Sequence, residues 1–243
     1  MLIIGLIFGI VVCYVVPIGG LVMCMRKKKG TGKAFLIGAA AFVISQLVIR
    51  IPILQLVLPQ YAWFTVLQLN PWAYGIFLGL SAGIFEEAAR WIGIRFFLKE
   101  KREVEHGLAF GFGHGGIEAM ILVGLNYVAV LVMVIGGQGA LVPVEPGGLF
   151  MAAVERLYAI GFHVGATLLV LYGIRSGKTI WYLMGAILLH TVMDAAIVIL
   201  PAEFGVGTFG VWVYGGAIGV LTLAMGLWCF AKSGRDKKVI EGG

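Results

Sequence analysis

The sequence predicts an all-α, polytopic membrane protein with about seven transmembrane helices, and three observations support this fold class. Of its 243 residues, 60% are hydrophobic and only 12% are charged, and the mean hydropathy is +1.01. These values lie far outside the range of soluble globular domains. The apolar runs are about 20 residues or longer, which is the length that crosses ~30 Å of hydrocarbon as a helix. Basic residues gather in alternate connections between the runs.

Hydropathy predicts short connections between the spans and therefore a single transmembrane domain, 1–243, with a catalytic-like core at about 71–200. The N-terminal segment "MLIIGLIFGI" lacks a basic leader and a clear cleavage site, so we expect it to be a retained helix. The predicted spans are 2–24, 34–58, 71–98, 107–135, 149–174, 179–200 and 208–231.

The distribution of basic residues predicts the orientation of the chain. The first, third and fifth connections and the C-terminal tail are basic, whereas the second, fourth and sixth connections contain no Lys or Arg. The positive-inside rule therefore places the C-terminus in the cytoplasm and the N-terminus outside. The net charge of +6 reflects this topology and attraction to anionic lipids, and it requires no nucleic-acid partner. The basic residues are Arg26, Lys27, Lys28, Lys29, Lys33, Lys99, Lys101, Arg102, Arg175, Lys178, Lys232, Arg235, Lys237 and Lys238.

Eleven ionisable residues lie within the predicted spans, where each is costly to bury and marks a candidate functional site. Four of them, Glu86, His114, His163 and His190, are expected ~10–18 Å below the cytoplasmic surface at a helical rise of ~1.5 Å per residue. Helices that run in opposite directions thus bring these side chains to one layer. The full set is Arg50, Glu86, Glu87, Arg90, His114, Glu118, Glu155, Arg156, His163, His190 and Asp194.

Three pairs in this set are spaced i,i+4 and so share a helix face: His114 with Glu118, His190 with Asp194, and Glu86 with Arg90. A histidine and a carboxylate one turn apart can ligate one metal ion, or the carboxylate can orient the imidazole. Imidazole and carboxylate without thiolate suit zinc, with manganese or iron as alternatives.

Two further expectations concern packing. A row of small residues, Gly107, Gly111, Gly115 and Ala119, predicts close approach of a neighbouring helix. In the outer half we expect structural ion pairs, because unpaired charge there would be costly. Similar depth suggests that Arg50 pairs with Glu155 in this region.

Three motifs resemble the CAAX-processing and bacteriocin-processing superfamily of intramembrane proteases. They are "FEEAARW" at 85–91, "FGFGH" at 110–114 and "HTVMD" at 190–194, on hydrophobic segments in that order. The continuation "GHGGIEA" and the later "ERLYAIGFH" are most similar to the YhfC-type membrane metallopeptidases of that superfamily. The chain departs from the superfamily in one position. The superfamily motif has its arginine four residues after the second glutamate, where this chain has Trp91, and the arginine here is Arg90. The resemblance covers about 80–200.

The resemblance implies peptidase chemistry, which needs an activated water, a stabilised oxyanion and a proton donor to the leaving amine. Either Glu86 or Glu87 is expected to be the general base. Arg90 is expected to contact one of the two glutamates and to keep it ionised and fixed in place. In a metal-free alternative, the glutamate and His114 activate water while His190 and Asp194 bind the oxyanion. With a metal, which we expect to be zinc, the candidate ligands are His114, His163 and His190, and Glu118 and Asp194 are ligands or orienting partners.

The depth of the layer predicts a cavity that opens to the cytoplasm. The expected substrate is a membrane-associated peptide or protein, including lipid-modified ones, and the expected location is a prokaryotic plasma membrane. Two alternative functions use the same residues. One is a non-catalytic membrane scaffold or bacteriocin-immunity protein, and the other is a transporter of protons or metal ions, since the cost of buried charge applies to any polar site.

Overall fold

The computed structural model describes residues 1–99, 102–138 and 146–241, without the side chains of Pro146 and 233–241. Within these residues the backbone is helical apart from short connections. We number the helices α1 (Leu2–Lys27), α2 (Thr31–Gln60), α3 (Ala62–Gln68), α4 (Pro71–Ile92, continued as Gly93–Phe97), α5 (Val104–Ile135), α6 (Pro146–Arg175), α7 (Thr179–Phe204) and α8 (Thr208–Glu241).

Six of these helices, α1, α2, α5, α6, α7 and α8, are long and apolar enough to cross a membrane. Helix α4 corresponds to the predicted span 71–98, but its second half carries Glu86, Glu87, Arg90 and Arg95, which lowers its hydropathy. The count of seven spans and the orientation stay predictions. Of the basic residues used for the orientation, Lys101 and the side chains of Arg235, Lys237 and Lys238 lie outside the described residues.

The helix ends follow from local sequence. Asn70 caps α4, because its Oδ1 accepts a hydrogen bond from the backbone N–H of Ala73 at 2.9 Å and Pro71 occupies the first helical turn. Gly30 and Gly177 adopt positive φ angles of 89° and 72° in the connections α1–α2 and α6–α7. Glycine accepts this conformation without a steric penalty, so neighbouring helices can reverse direction within a few residues.

Helix α5 lies between α2 and α6 at close range because it carries glycines on both faces. A Cβ atom added to Gly111 would lie 2.6 Å from the Cα of Val164 on α6. On the other face, a Cβ atom on Gly113 would overlap the carbonyl oxygen of Phe35 on α2. The predicted close approach along the row of small residues is confirmed, and it brings α5 within side-chain reach of α6.

The larger apolar core lies at the end of the bundle that carries the basic connections. Its members follow Arg90 on α4, precede His114 on α5, follow His163 on α6 and precede His190 on α7. The polar residues of the spans therefore lie on one side of this core and the basic connections on the other. We call this set the basal core: Cys24, Ala34, Ala41, Ile94, Leu98, Ala109, Phe110, Val170, Leu171, Ile174 and Ala186.

The helix spacing predicts that Gly113→Ala lowers the stability of the folded protein. The added methyl group overlaps backbone, which cannot move aside as a side chain can, so we expect a loss of about 1–3 kcal/mol. Thermal unfolding of the purified protein in detergent would measure it. The matched control is Gly19→Ala on α1, where the new methyl meets open space. Equal stability of the two variants would contradict this description of the α2–α5 contact.

Candidate active site

Helices α4, α5, α6 and α7 bring the predicted site residues into one buried layer. The ring centroids of His114 and His163 lie 4.8 Å apart, and those of His163 and His190 lie 5.7 Å apart. The four residues expected at one depth therefore do meet. The ionisable residues at the centre of the layer are each at most 5% exposed, and they are Glu86, Glu87, Arg90, His114, His163 and His190.

Glu86 lies at the centre of this layer, next to all three histidines. Its Oε1 accepts a hydrogen bond from Gln46 Nε2 at 2.6 Å, and its Oε2 lies 2.9 Å from His114 Nε2. His190 Nε2 is 3.6 Å from Oε1, and His163 Nδ1 is 3.9 Å from Oε2. Gln46 on α2 and His114 on α5 thus orient the two carboxylate oxygens of Glu86. The same carboxylate faces the histidines of α6 and α7.

Glu87 has a different environment from its neighbour in sequence. Its Oε2 lies 2.9 Å from Arg90 Nε, and its Oε1 lies 3.0 Å from His190 Nδ1. Arg90 is permanently charged, so Glu87 balances that charge and acts only as a hydrogen-bond acceptor. His190 Nδ1 must then donate, so in the neutral form of the ring the lone pair would lie on Nε2, which is 3.7 Å from Asp194 Oδ2. The sequence left open which glutamate Arg90 holds, and in the structure it is Glu87.

Arg90 also connects α4 to α6. Its Nη1 donates to the backbone oxygen of His163 at 2.7 Å and to Thr167 Oγ1 at 2.6 Å, and its Nη2 lies 3.0 Å from His163 Nδ1. Since a guanidinium only donates, Nδ1 accepts and the ring proton resides on Nε2. That nitrogen lies 2.6 Å from Glu118 Oε2. Both ring nitrogens of His163 are therefore engaged by protein groups.

The second charged cluster lies beside Glu118 and differs from two sequence expectations. Glu118 shares a face with His114, but its carboxylate contacts His163 and Arg156, whose Nη1 donates at 2.7 Å. Arg156 also pairs with Glu155. The expected pair of Arg50 with Glu155 is wrong, because Arg50 lies on α2 against α4, whereas Glu155 is satisfied by the arginine next to it in sequence.

Gln46 and Arg50 also belong to the site. The sequence analysis did not identify Gln46, and it placed Arg50 beside Glu155. Arg50 donates to Leu78 O at 2.7 Å, to Ser81 Oγ at 3.0 Å and to Gln46 Oε1 at 3.0 Å. Gln46 then donates to Glu86. The segment Val43–Arg50 is π-helical, a geometry frequent at functional sites. The available signal was the i,i+4 spacing of two polar residues within an apolar span, but Gln46 is uncharged and so escaped a search for ionisable groups.

The layer has a donor set that fits a divalent transition metal. Glu86, His114 and His163 each offer a ligand atom within 4.8 Å of one another. The buried Nδ1 of His114 has no hydrogen-bond partner in the described part of the chain, and Glu87 selects the His190 tautomer whose neutral form would offer Nε2 to a metal. Carboxylate and imidazole ligands suit zinc and related ions without selecting one of them. Arg90 and Glu118 engage both ring nitrogens of His163. His114 Nδ1, by contrast, has no such hydrogen-bond partner in the described part of the chain, and His190 Nε2 lies 3.6 and 3.7 Å from the carboxylates of Glu86 and Asp194.

A cavity of about 90 Å³, lined by both charged and apolar residues, adjoins the layer. Glu86, His163 and His190 form its inner wall, so a reacting group in the cavity would touch the centre of the site. The remaining lining residues are Glu118, Glu155, Arg156, Tyr158, Ala159, Phe162, Met193, Asp194, Ile197, Val211 and Gly215.

The contacts of Gln46 predict that Gln46→Leu weakens metal binding. Glu86 Oε2 lies 2.9 Å from His114 Nε2 and orients that ring, so loss of the amide that holds Glu86 also loosens His114. Removal of an outer-shell partner typically lowers metal affinity about 10–100-fold, and we expect the lower end of this range because Gln46 acts through Glu86. Competition with a chromophoric chelator would measure zinc affinity. Ser45→Ala is the matched control, since Ser45 is equally buried and its hydroxyl donates to Phe42 O in its own helix. Equal zinc affinity of Gln46→Leu and wild type would contradict this role of the amide.

Comparison with known proteins agrees with these motifs. The model of the family "YhfC intramembrane metalloprotease" matches residues 12–211. A Bacillus subtilis (strain 168) protein, "Uncharacterized membrane protein YhfC", is 31% identical over 209 residues, covering 77% of this chain and 81% of the relative. No solved structure matches the chain. The protein is an integral membrane protein, and it belongs to the YhfC intramembrane metalloprotease family.

Proposed function

We propose that the protein is an intramembrane peptidase that hydrolyses a peptide bond of a membrane-associated polypeptide, including lipid-modified ones, with Glu86 as general base. The observation that carries this proposal is a buried carboxylate oriented by an amide, next to three imidazoles and open to a cavity. Membership of the metalloprotease family supports the same reaction class. Of the two glutamates, Glu86 is the candidate base, because one carboxylate oxygen of Glu87 pairs with Arg90 and the other accepts from His190.

We propose that His114 and His190 hold a divalent transition metal, with zinc as the first candidate. Asp194, His163 and Glu118 are the further donors or orienting groups within the layer. When bound, such a metal lowers the pKa of a water ligand toward ~7 and polarises the substrate carbonyl.

The residues of the chain then have distinct tasks. Glu86 takes a proton from water and returns it to the leaving amine. Gln46 fixes the Glu86 carboxylate on one side, and Glu87 fixes the ring of His190, as carboxylates do for ligating histidines. Arg90 keeps Glu87 in place and joins it to α6. In the metal-free alternative, Glu86 and His114 activate the water, and His190 with Asp194 binds the oxyanion.

The two rival functions receive less support from the structure. A transporter needs a polar path between both membrane faces. Among the described residues, the basal core fills the space between the polar layer and the basic connections with apolar side chains. A scaffold does not need a carboxylate that touches the histidines and the cavity, so nothing in its function would explain the environment of Glu86.

The test is proteolysis by the purified protein in lipid nanodiscs, mixed with detergent-solubilised membrane proteins of cells that lack it. Mass spectrometry would then quantify newly formed N-termini. Wild type should generate new N-termini, and Glu86→Gln should generate them at least about 100-fold more slowly, since a general base contributes about 10²–10⁴-fold.

The matched control is Glu203→Gln, an exposed glutamate at the end of α7, which should cleave as wild type does. Equal cleavage by Glu86→Gln and wild type would contradict the role of Glu86. If wild type forms no products, the peptidase proposal is wrong. Ion flux in liposomes that contain the protein would then indicate a transporter, and absence of ion flux would indicate a scaffold.

A further inference from the structure

The cavity beside the layer extends toward one end of the bundle only. It begins at Glu86, His163 and His190 and continues to Ile197 on α7 and to Val211 and Gly215 on α8. Ile197 is seven residues beyond His190, or ~10 Å along the helix axis, and Val211 lies in the first turn of α8. The cavity therefore leads toward the connection between α7 and α8.

The opposite direction is closed by the basal core. Ile94, Phe110, Leu171 and Ala186 come from four different helices, and each is 0% exposed. On each helix they lie between the polar layer and a basic connection. A polypeptide that approached from the basic end would have to displace packed apolar side chains from all four helices.

The two ends of the bundle differ in charge as well. Lys28 and Lys29 follow α1, Lys99 and Arg102 follow α4, and Arg175 and Lys178 lie between α6 and α7. The connection between α7 and α8, at the mouth of the cavity, contains no Lys or Arg. By the positive-inside rule, the closed end faces the cytoplasm and the cavity faces the other side.

We propose that the site is reached from the membrane face opposite the basic connections. This inference rests on the proposed function. It identifies the substrates as polypeptides that present a segment at the extracytoplasmic face or in the outer leaflet. It replaces the cytoplasmic opening that the sequence suggested. The predicted depths correctly brought the four residues into one layer of the helix bundle, but they do not show which end of the bundle is closed by packed side chains.

Cysteine accessibility tests this inference without requiring catalysis. Met193→Cys lies in the cavity lining, three residues from His190. Ala186→Cys is the matched control, four residues from His190 on the other side and within the basal core. Lys178→Cys reports the basic end. The native Cys13, Cys24 and Cys229 are buried and stay in place. The probe is a small, cationic, membrane-impermeant methanethiosulfonate, applied to intact cells and then to lysed cells.

We expect Met193→Cys to react in intact cells, Lys178→Cys to react only after lysis, and Ala186→Cys to react in neither. Reaction of Met193→Cys only after lysis, with Lys178→Cys, would overturn the proposal, as would reaction of Ala186→Cys from the basic end. No reaction of Met193→Cys in either sample would also overturn it, because the cavity would then not be open. Failure of the peptidase proposal changes none of these results, so the two ideas fail separately.

Discussion

The ion pair of Arg90 and Glu87 is the interaction on which the other contacts of the layer depend. Both side chains are 0% exposed, and removing two ions from water costs several kcal/mol per ion unless further hydrogen bonds satisfy them. Arg90 meets this requirement at His163 and Thr167 on α6, and Glu87 meets it at His190 on α7. The electrostatics of α4 thus dictate which helices must surround it, and the glycines of α5 allow the helices to approach that closely.

This arrangement divides the work between two adjacent glutamates. Successive residues on a helix point about 100° apart, so Glu87 faces the arginine one turn later, whereas Glu86 faces α2 and α5. Glu87 is fully used in holding Arg90 and His190. Glu86 is held by an amide and an imidazole and keeps access to the cavity. In the proposed mechanism, a structural carboxylate, Glu87, and a reactive carboxylate, Glu86, thus lie side by side, and Glu87 fixes the ring of His190 next to Glu86.

Much of this architecture is encoded in features that a sequence displays. Hydropathy and helical rise placed Glu86 and the three histidines at one depth, and the small residues of α5 indicated a close neighbour. Partner choice is different, because it depends on helix rotation and on which helices are adjacent. Glu118 therefore faces His163 instead of His114, and Arg50 contacts Gln46 instead of Glu155. Gln46 was missed because an uncharged amide carries no signal until its partner is known.

The most direct test of the account is the metal content of the purified protein, prepared without chelators and measured by mass spectrometry. We predict about one transition-metal ion per chain, lost in folded His114→Ala and His190→Ala variants. His106→Ala is the control, since this buried histidine contacts the backbone of Lys29 away from the layer; it should retain the metal. Wild type without metal, or His114→Ala and His190→Ala variants that keep it, would contradict a metal centre built on these two histidines.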